Sequence, residues 1–379
     1  MKSGLLFATA LVACAPAGAA TMTAKDFNLF ALNNVTEQGS DTEGRVAVGG
    51  NAVFKPYTVG AVLSNSGTNL VVGGNLDQQY GSFSGSVWVG GNATLDGVGV
   101  NGNITANGKV KYTNGTLKGN IASGSTVTTA SAGVSGTIKQ NQAQVASPVD
   151  FSAEAVRLKG LSQQYSAYTT GNLPSGATLG SVTFDANSHT VTLTGTGSGI
   201  NVFNISGSLF PKDWGTFNVN LTGGGEALIN VSGTSQYWTG GMNVNGSSAG
   251  SGGANVLFNF YQATNITFGS IGVLGSILAP LATYNDATYD SLIKHNAGGV
   301  INGQVVVANW NGNYSSNTQI NNVFLRDYAL GKNLLGDPYV PKPIKQAAVP
   351  EPSSWMTMIL GFGLLGGVMR RSRRKLVLA

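Results

Sequence analysis

VAVGGNAVF at residues 46–54 returns as LVVGGNLD (70–77), VWVGGNATL (87–95), VGVNGNITA (98–106) and LKGNIAS (117–123). Each copy alternates apolar residues, passes through Gly-Asn, and begins another short run. The first glycine stands at Gly49, Gly73 and Gly90, with Asn101 in the equivalent place, so the steps are 24, 17 and 11 residues. Val46 with Val48, and Val87 with Val89, alternate as a strand does and put one face inward. Gly-Asn supplies residues tolerant of positive φ, so the chain can turn a corner there. One such strand cannot bury its own apolar face, but stacked on the next it can, and solenoid coils tolerate unequal insertions at their corners. The pattern predicts an all-β fold, with residues 46 to about 145 as successive rungs of a parallel β-helix. An antiparallel β-sandwich is the alternative, because Gly-Asn turns also close hairpins.

The pattern changes at SPVDFSAEAVRLKGLSQQYSAY, where Phe151, Ala155, Leu158, Leu161, Tyr165 and Tyr168 recur every three or four residues. That stripe predicts one amphipathic helix over about 148–168, capped near Asp150 and flanking the solenoid. Gly160 inside it costs about 1 kcal/mol relative to alanine, so packing must hold the helix. Strands resume with VTFDANSHTVTLTG, a hairpin around Asp185-Ala186-Asn187, then FNVNLTG, ALINVSG and NVLFNFYQ.

Charged residues are 10% of the 379, against roughly 25% in ordinary domains, yet hydrophobic residues reach 42%. The chain is too apolar to be disordered and hydrates itself with Asn, Ser and Thr. Of 21 Lys and Arg, Lys2 lies in the first segment and five lie in the last, leaving 15. Of 16 Asp and Glu only Glu351 lies in those segments, leaving 15, so residues 21–349 are formally neutral. No basic cluster remains for phosphate, which excludes nucleic acid as partner.

Both ends are apolar. MKSGLLFATALVACAPAGAA has the form of a signal peptide over 1–20, with Ala17 and Ala19 giving an A-x-A site and cleavage after Ala19 or Ala20. Leu11-Val12-Ala13-Cys14 also has the form of a lipoprotein signal with Cys14 lipidated. Cys14 is the one cysteine, so the domain beyond it forms no disulfide. Residues 353–369 carry no charge and span about 25 Å as a helix, close to a bilayer's apolar thickness. Arg370, Arg371, Arg373, Arg374 and Lys375 follow at once and face the cytoplasm by the positive-inside bias. PYVPKPIKQAAVPEP before this segment reads as a stiff Pro-rich linker over 338–349.

Pro350-Glu351-Pro352, Trp355, Gly363-Leu364-Leu365-Gly366 and the arginines resemble the PEP-CTERM sorting signal of Gram-negative bacteria, here over 350–379. The resemblance implies export through the translocon, transient insertion in the inner membrane, recognition by an exosortase and removal of the tail at the surface. DFNLFALNNVTEQGSDTEGRVAVGGN and the late SILAPLATY…INGQVVVANWNG are similar to the choice-of-anchor A domain of exported bacterial surface proteins, which brackets 21–337. The segment NDATYDSLIKHN between the late elements is longer than that pattern suggests.

The catalytic inventory is thin. His189 falls in the hairpin turn, and Asp286, Asp290, Lys294 and His295 form the densest ionisable cluster. If extended, Asp286 and Asp290 are about 13 Å apart, too far for a glycosidase pair. Glu37, Asp41 and Glu43 before Arg45 invite a calcium ion, but turn capping and ion pairing fit better, because EF-hand spacing is absent. No cofactor, metal or catalytic motif is predicted. The expected function is structural or adhesive: a surface protein holding extracellular polysaccharide in a biofilm matrix through Asn, Thr and Ser. Trp214, Trp238 and Trp310 are candidate sugar-stacking rings, with burial the simpler role for at least two. A polysaccharide-degrading enzyme on the same scaffold is the alternative. Ice binding is a third, weakened because Thr rows are evident only at Thr126–Thr129 and Thr190–Thr194.

Overall fold

In the computed structural model the alternating runs stack as a parallel β-solenoid with three faces and one flanking α-helix. The structure describes residues 22–64, 67–211, 215–246, 253–285, 298–312, 318–326 and 334–336. The chain divides into two units, Met1–Tyr339 and Val340–Ala379. The leader, the linker over 338–349 and the sorting segment all lie outside the described residues. So does the expected membrane span, 353–369; among the described residues no helix is long and apolar enough to cross a bilayer. Every strand pairing between named strands is parallel except one hairpin, Ser181–Asp185 with Thr190–Gly195, so the antiparallel sandwich does not hold.

The order of rungs in space is not their order in the chain. Leu29–Ala31 lies in the middle of one long sheet, paired with Val46–Val48 on one side and Val305–Asn311 on the other. From there the chain winds outward through Thr68–Val72, Ser86–Val89, Ile104–Ala106 and Ile121–Ser123 to Ile138–Lys139. The segment carrying the helix returns it to the opposite end at Thr178–Leu179. It then winds inward through Ile200–Ser206, Glu226–Ser232, Val256–Asn259 and Ser276–Asn285 to meet its own first strand. Two half-solenoids thus share one sheet.

From Leu70 onward the first half repeats every 17 residues, as in Leu70↔Val87↔Ile104↔Ile121, after one rung of 24 from Val46. Its corners correct the spacing read from the sequence. Gly90 is followed at the same corner by Asn107 and Gly124, whereas Asn101 belongs to a different corner of the rung, so the step of 11 joined two corners. The reason for Gly-Gly also differs from a need for positive φ. A Cβ on Gly73 would sit 2.4 Å from the Gly49 carbonyl oxygen, and one on Gly90 would sit 2.2 Å from that of Gly73. Close stacking of corners selects glycine there, and the asparagines stitch it. Asn75 N–H donates to Asn51 Oδ1, Asn92 N–H to Asn75 Oδ1 and Lys109 N–H to Asn92 Oδ1, each at 2.8 Å. Each amide oxygen satisfies a backbone donor that the corner would otherwise leave without a partner.

Inside, Leu29, Val46, Leu70, Val87, Ile104 and Ile121 form one of the buried aliphatic ladders. The second half is filled by rings instead: Phe210 stacks on Trp238 at 4.7 Å, and Tyr284 on Trp310 at 4.0 Å. The helix, Phe151–Ser166, starts where Asp150 accepts from the N–H groups of Ser152 and Ala153. Those bonds hold the Asp150 carboxyl below its ordinary value. Its Leu158, Leu161 and Tyr165 pack with Phe30, Trp88 and Leu228 in a second core. An amide ladder, buried at Asn259 and Asn230 and exposed at Asn204, receives the helix's C-terminal end: the three donate to the carbonyls of Ser162, Tyr165 and Tyr168.

Candidate functional site

The helix covers one face of the solenoid, which leaves two strand faces open to ligands. On one of them Thr190–Gly195, Thr216–Leu221 and Gly241–Gly246 lie side by side in register. Alternation sends Val191, Leu193, Phe217, Val219 and Val244 into the core. It leaves outside Thr192, Asn218 and Asn243 in one row and Thr194, Asn220 and Asn245 in the next. Rows repeat about every 4.8 Å across strands and 6.7 Å along them. Asn243 donates to Asn218 Oδ1 at 3.1 Å and Asn245 to Asn220 Oδ1 at 3.0 Å, which fixes the amides as an ordered grid.

The other open face, in the first half, carries a groove of about 360 Å³. Asp77, Thr94 and Lys111 form one register column, and Gln79, Asp96 and Thr113 form the neighbouring one. Leu76, Leu95, Val110 and Tyr112 alternate inward beneath them. Thr113 Oγ1 and Asn114 Nδ2 both donate to Asp96 Oδ1 at 2.7 Å. These bonds, the Thr113 hydroxyl first, then Asn114, hold the Asp96 carboxyl below its ordinary value, and Lys111 adds to the effect.

Beside the groove, one residue past Gln79, Tyr80 is 61% exposed. Its φ is 62°, and the equivalent residues of the next rungs, Gly97, Asn114 and Ser131, have φ of 68°, 54° and 53°. A left-handed corner repeats every 17 residues here, normally filled by Gly, Asn or Ser and once by tyrosine. Aligning the rungs at that period shows Tyr80 as the odd member, a signal that motif spacing alone does not display.

Two of the three candidate tryptophans take the simpler role expected for at least two of them, burial. Trp238 and Trp310 are wholly buried, because each fills the wide interior of the second half, and Trp214 lies outside the described residues. The Glu37–Asp41–Glu43 group is divided among partners. Glu37 is buried and accepts from Trp310 Nε1, Asp41 aligns with Thr58 on a strand face, and Glu43 accepts from the N–H of Asn322. Burial, then the neighbouring Glu43, raises the Asp41 carboxyl. Among the described residues no three His, Cys, Asp or Glu side chains group closely enough to hold a metal ion. His189 ends the loop of the hairpin with φ 47°. Asp286, Asp290, Lys294 and His295 lie outside the described residues, as do Ala19, Ala20, Pro350, Glu351, Pro352 and Arg370, Arg371, Arg373 and Arg374.

A family model for an ice-binding-like adhesive domain matches residues 20–322, most of the chain. The chain belongs to this family. A second match, to the PEP-CTERM protein-sorting motif, covers residues 348–375. Adhesive-like domain and sorting motif together make this an exported surface protein, and the motif implies exosortase processing and a membrane-transit step. Searches of curated proteins and of solved structures returned no match.

Proposed function

We propose that the protein is an adhesive of choice-of-anchor A type that holds extracellular polysaccharide at the surface of a Gram-negative cell, acting by binding rather than by turnover. The observation that carries this reading is the grid on Thr190–Gly195, Thr216–Leu221 and Gly241–Gly246. It is a flat, uncharged, preorganised set of hydroxyls and amides, the groups that exchange hydrogen bonds with sugar hydroxyls at little ordering cost. A repeating polymer matches a repeating surface, and many weak contacts sum along it. Within the groove Asp96 does not suit the general-acid role of a hydrolase, since the Thr113 hydroxyl and Asn114 hold its carboxyl below the ordinary value.

Retention of the exported protein on exopolysaccharide from its host, without release of reducing or unsaturated ends, is the expected result. Chain cleavage abolished by Asp286→Ala, Asp290→Ala or Asp77→Asn would overturn it in favour of a polysaccharide-degrading enzyme. The family match and the grid also favour a second reading, ice as the solid that the grid contacts. The sequence displays the Thr190–Thr194 row alone, and the fold completes it with Thr216, Asn218 and Asn220. Thermal hysteresis in the wild type that is lost in Thr192→Asp would establish that reading.

A further inference from the structure

We infer that the groove beside Tyr80 is a second glycan subsite, specific for an uncharged sugar chain, with Tyr80 as the stacking ring at its edge. This rests on the reading that the protein holds glycans, but it places a distinct contact on a different face from the grid.

The first support is the cost of having a tyrosine there. The corner demands a left-handed backbone, which Gly97 and Asn114 adopt readily and which a bulky residue does not. Tyr80 gains no core contact in return, since its side chain is largely in solvent. The ring instead rests over the bare Gly97, where a Cβ would fall 2.6 Å from Tyr80 Cδ1. A residue strained at its own position, exposed, and given room by a glycine is held as an apolar plate. Tyr80 N–H donates to the Asp96 carbonyl at 2.8 Å, which anchors the plate at the rim of the groove.

The second support is the groove beside the plate, reached through Asp96, whose carbonyl holds Tyr80 N–H. Asp77 and Asp96 are acceptors, Lys111 is a donor, and Gln79, Thr94 and Thr113 can be either. Thr113 and Asn114 both bond Asp96 Oδ1, which leaves Oδ2 to accept from a ligand hydroxyl. Two carboxylates against one ammonium give the groove a formal charge of −1, which disfavours uronates, sulfated sugars and phosphates. Of its lining residues only Ala130 is apolar, so a lipid or hydrophobic peptide has little to fill, and the Tyr80 ring over Gly97 is the aromatic surface beside it. Alternating hydroxyls beside one ring-sized apolar plate match a neutral pyranose with adjacent hydroxyl groups. Its volume, about 360 Å³, falls in the range of small-ligand sites, and it runs across several rungs.

The test titrates the exported protein with neutral hexasaccharides of β-1,4-glucan, β-1,3-glucan and β-1,4-mannan, and with an oligo-uronate of equal length. Four proteins are compared: wild type, Tyr80→Phe, Tyr80→Asn and the grid variant Asn218→Ala/Asn243→Ala. Tyr80→Asn removes the ring while installing a residue that the same corner already uses at Asn114, so folding is preserved. The expected result is that at least one neutral hexamer binds, Tyr80→Phe and the grid variant bind it equally, and Tyr80→Asn weakens it at least tenfold with an unlowered thermal midpoint. The inference is overturned if no neutral hexamer binds wild type, if the uronate binds as tightly, or if Tyr80→Asn equals wild type. Retention on host exopolysaccharide by Tyr80→Asn at the wild-type level sinks the groove alone. Failure of wild type to be retained sinks the adhesive reading beneath it.

Discussion

The two halves of the solenoid solve the same packing problem with different materials. The first winds mostly in rungs of 17 residues, with one of 24 between Val46 and Leu70, aliphatic ladders inside and asparagine ladders at the corners. The second uses longer, unequal rungs, with partners such as Asn201↔Ala227 and Ala227↔Val256, and fills the wider interior with Phe210, Phe217, Trp238, Phe258 and Phe268. The regular coil is filled mainly by Val, Leu and Ile, with scattered rings at Phe54, Tyr57, Phe83 and Tyr112. The longer rungs gather their rings into one cluster, with Val219, Leu221 and Ile229 completing the core. Regularity carries the groove, where identical corners let one odd residue stand out. Irregularity carries the grid, where long strands lie flat.

The contrast is broken most severely by charge in the regular core. Val89 is wholly buried, and Val89→Asp places an unpaired carboxylate inside a ladder; a loss of more than about 4 kcal/mol is expected. Urea unfolding that leaves Val89→Asp near the parent midpoint would deny the packed interior. In the aromatic half Trp238→Ala should cost about 3–5 kcal/mol, whereas Ile104→Val in the aliphatic half should cost about 0.5–1.5 kcal/mol. Equal losses would remove the distinction between the halves. Glycine sharpens it further. Gly90→Ala collides with the Gly73 carbonyl and should lose about 1–3 kcal/mol, while Gly241, with open space around it, should tolerate alanine within about 0.5 kcal/mol.

The smallest effect is a pH dependence confined to the regular half. Burial pushes the Tyr112 phenol up to about 12, and its hydroxyl donates to the Val98 carbonyl. Its ordinary value is 10.0, so the unfolded chain loses this proton first. Tyr112 therefore contributes stability that is complete below pH 10 and is lost as pH rises toward 12. Denaturant midpoints across that window should fall less in Tyr112→Phe than in the parent.

What could be read beforehand follows the same division. VAVGGNAVF and its copies exposed the parallel rungs because every rung must repeat the same corner chemistry, and Leu158, Leu161 and Tyr165 exposed the helix because it packs on one stripe. Phase was lost at Asn101 because two corners of one rung use nearly the same letters. The meeting of Leu29–Ala31 with Val305–Asn311 leaves no local trace, since neither strand carries the other's register. The grid was half visible: TVTLTG, FNVNLTG and GMNVNG each alternate, but only the fold aligns them. Trp238 and Trp310 take the burial expected for at least two of the three tryptophans, and which two was not legible because a ring that suits a sugar also suits a core.

The strand Val305–Asn311 is paired on both sides, with Leu29–Ala31 and with Ser276–Asn285. In a solenoid whose last strand is an outer edge, tension on the C-terminal side peels one rung at a time, breaking few bonds at each step. Here a pull arriving through the chain beyond Asn321 first meets Gln319–Asn321, held between Gly298–Asn302 and Thr42, and behind it Val305–Asn311, flanked by both halves. Gln304 adds a clasp, donating to the carbonyls of Lys25 and Phe27. A molecule that grips a surface under flow gains from this arrangement: load is shared between the first and last strands of the domain instead of being concentrated at a free end.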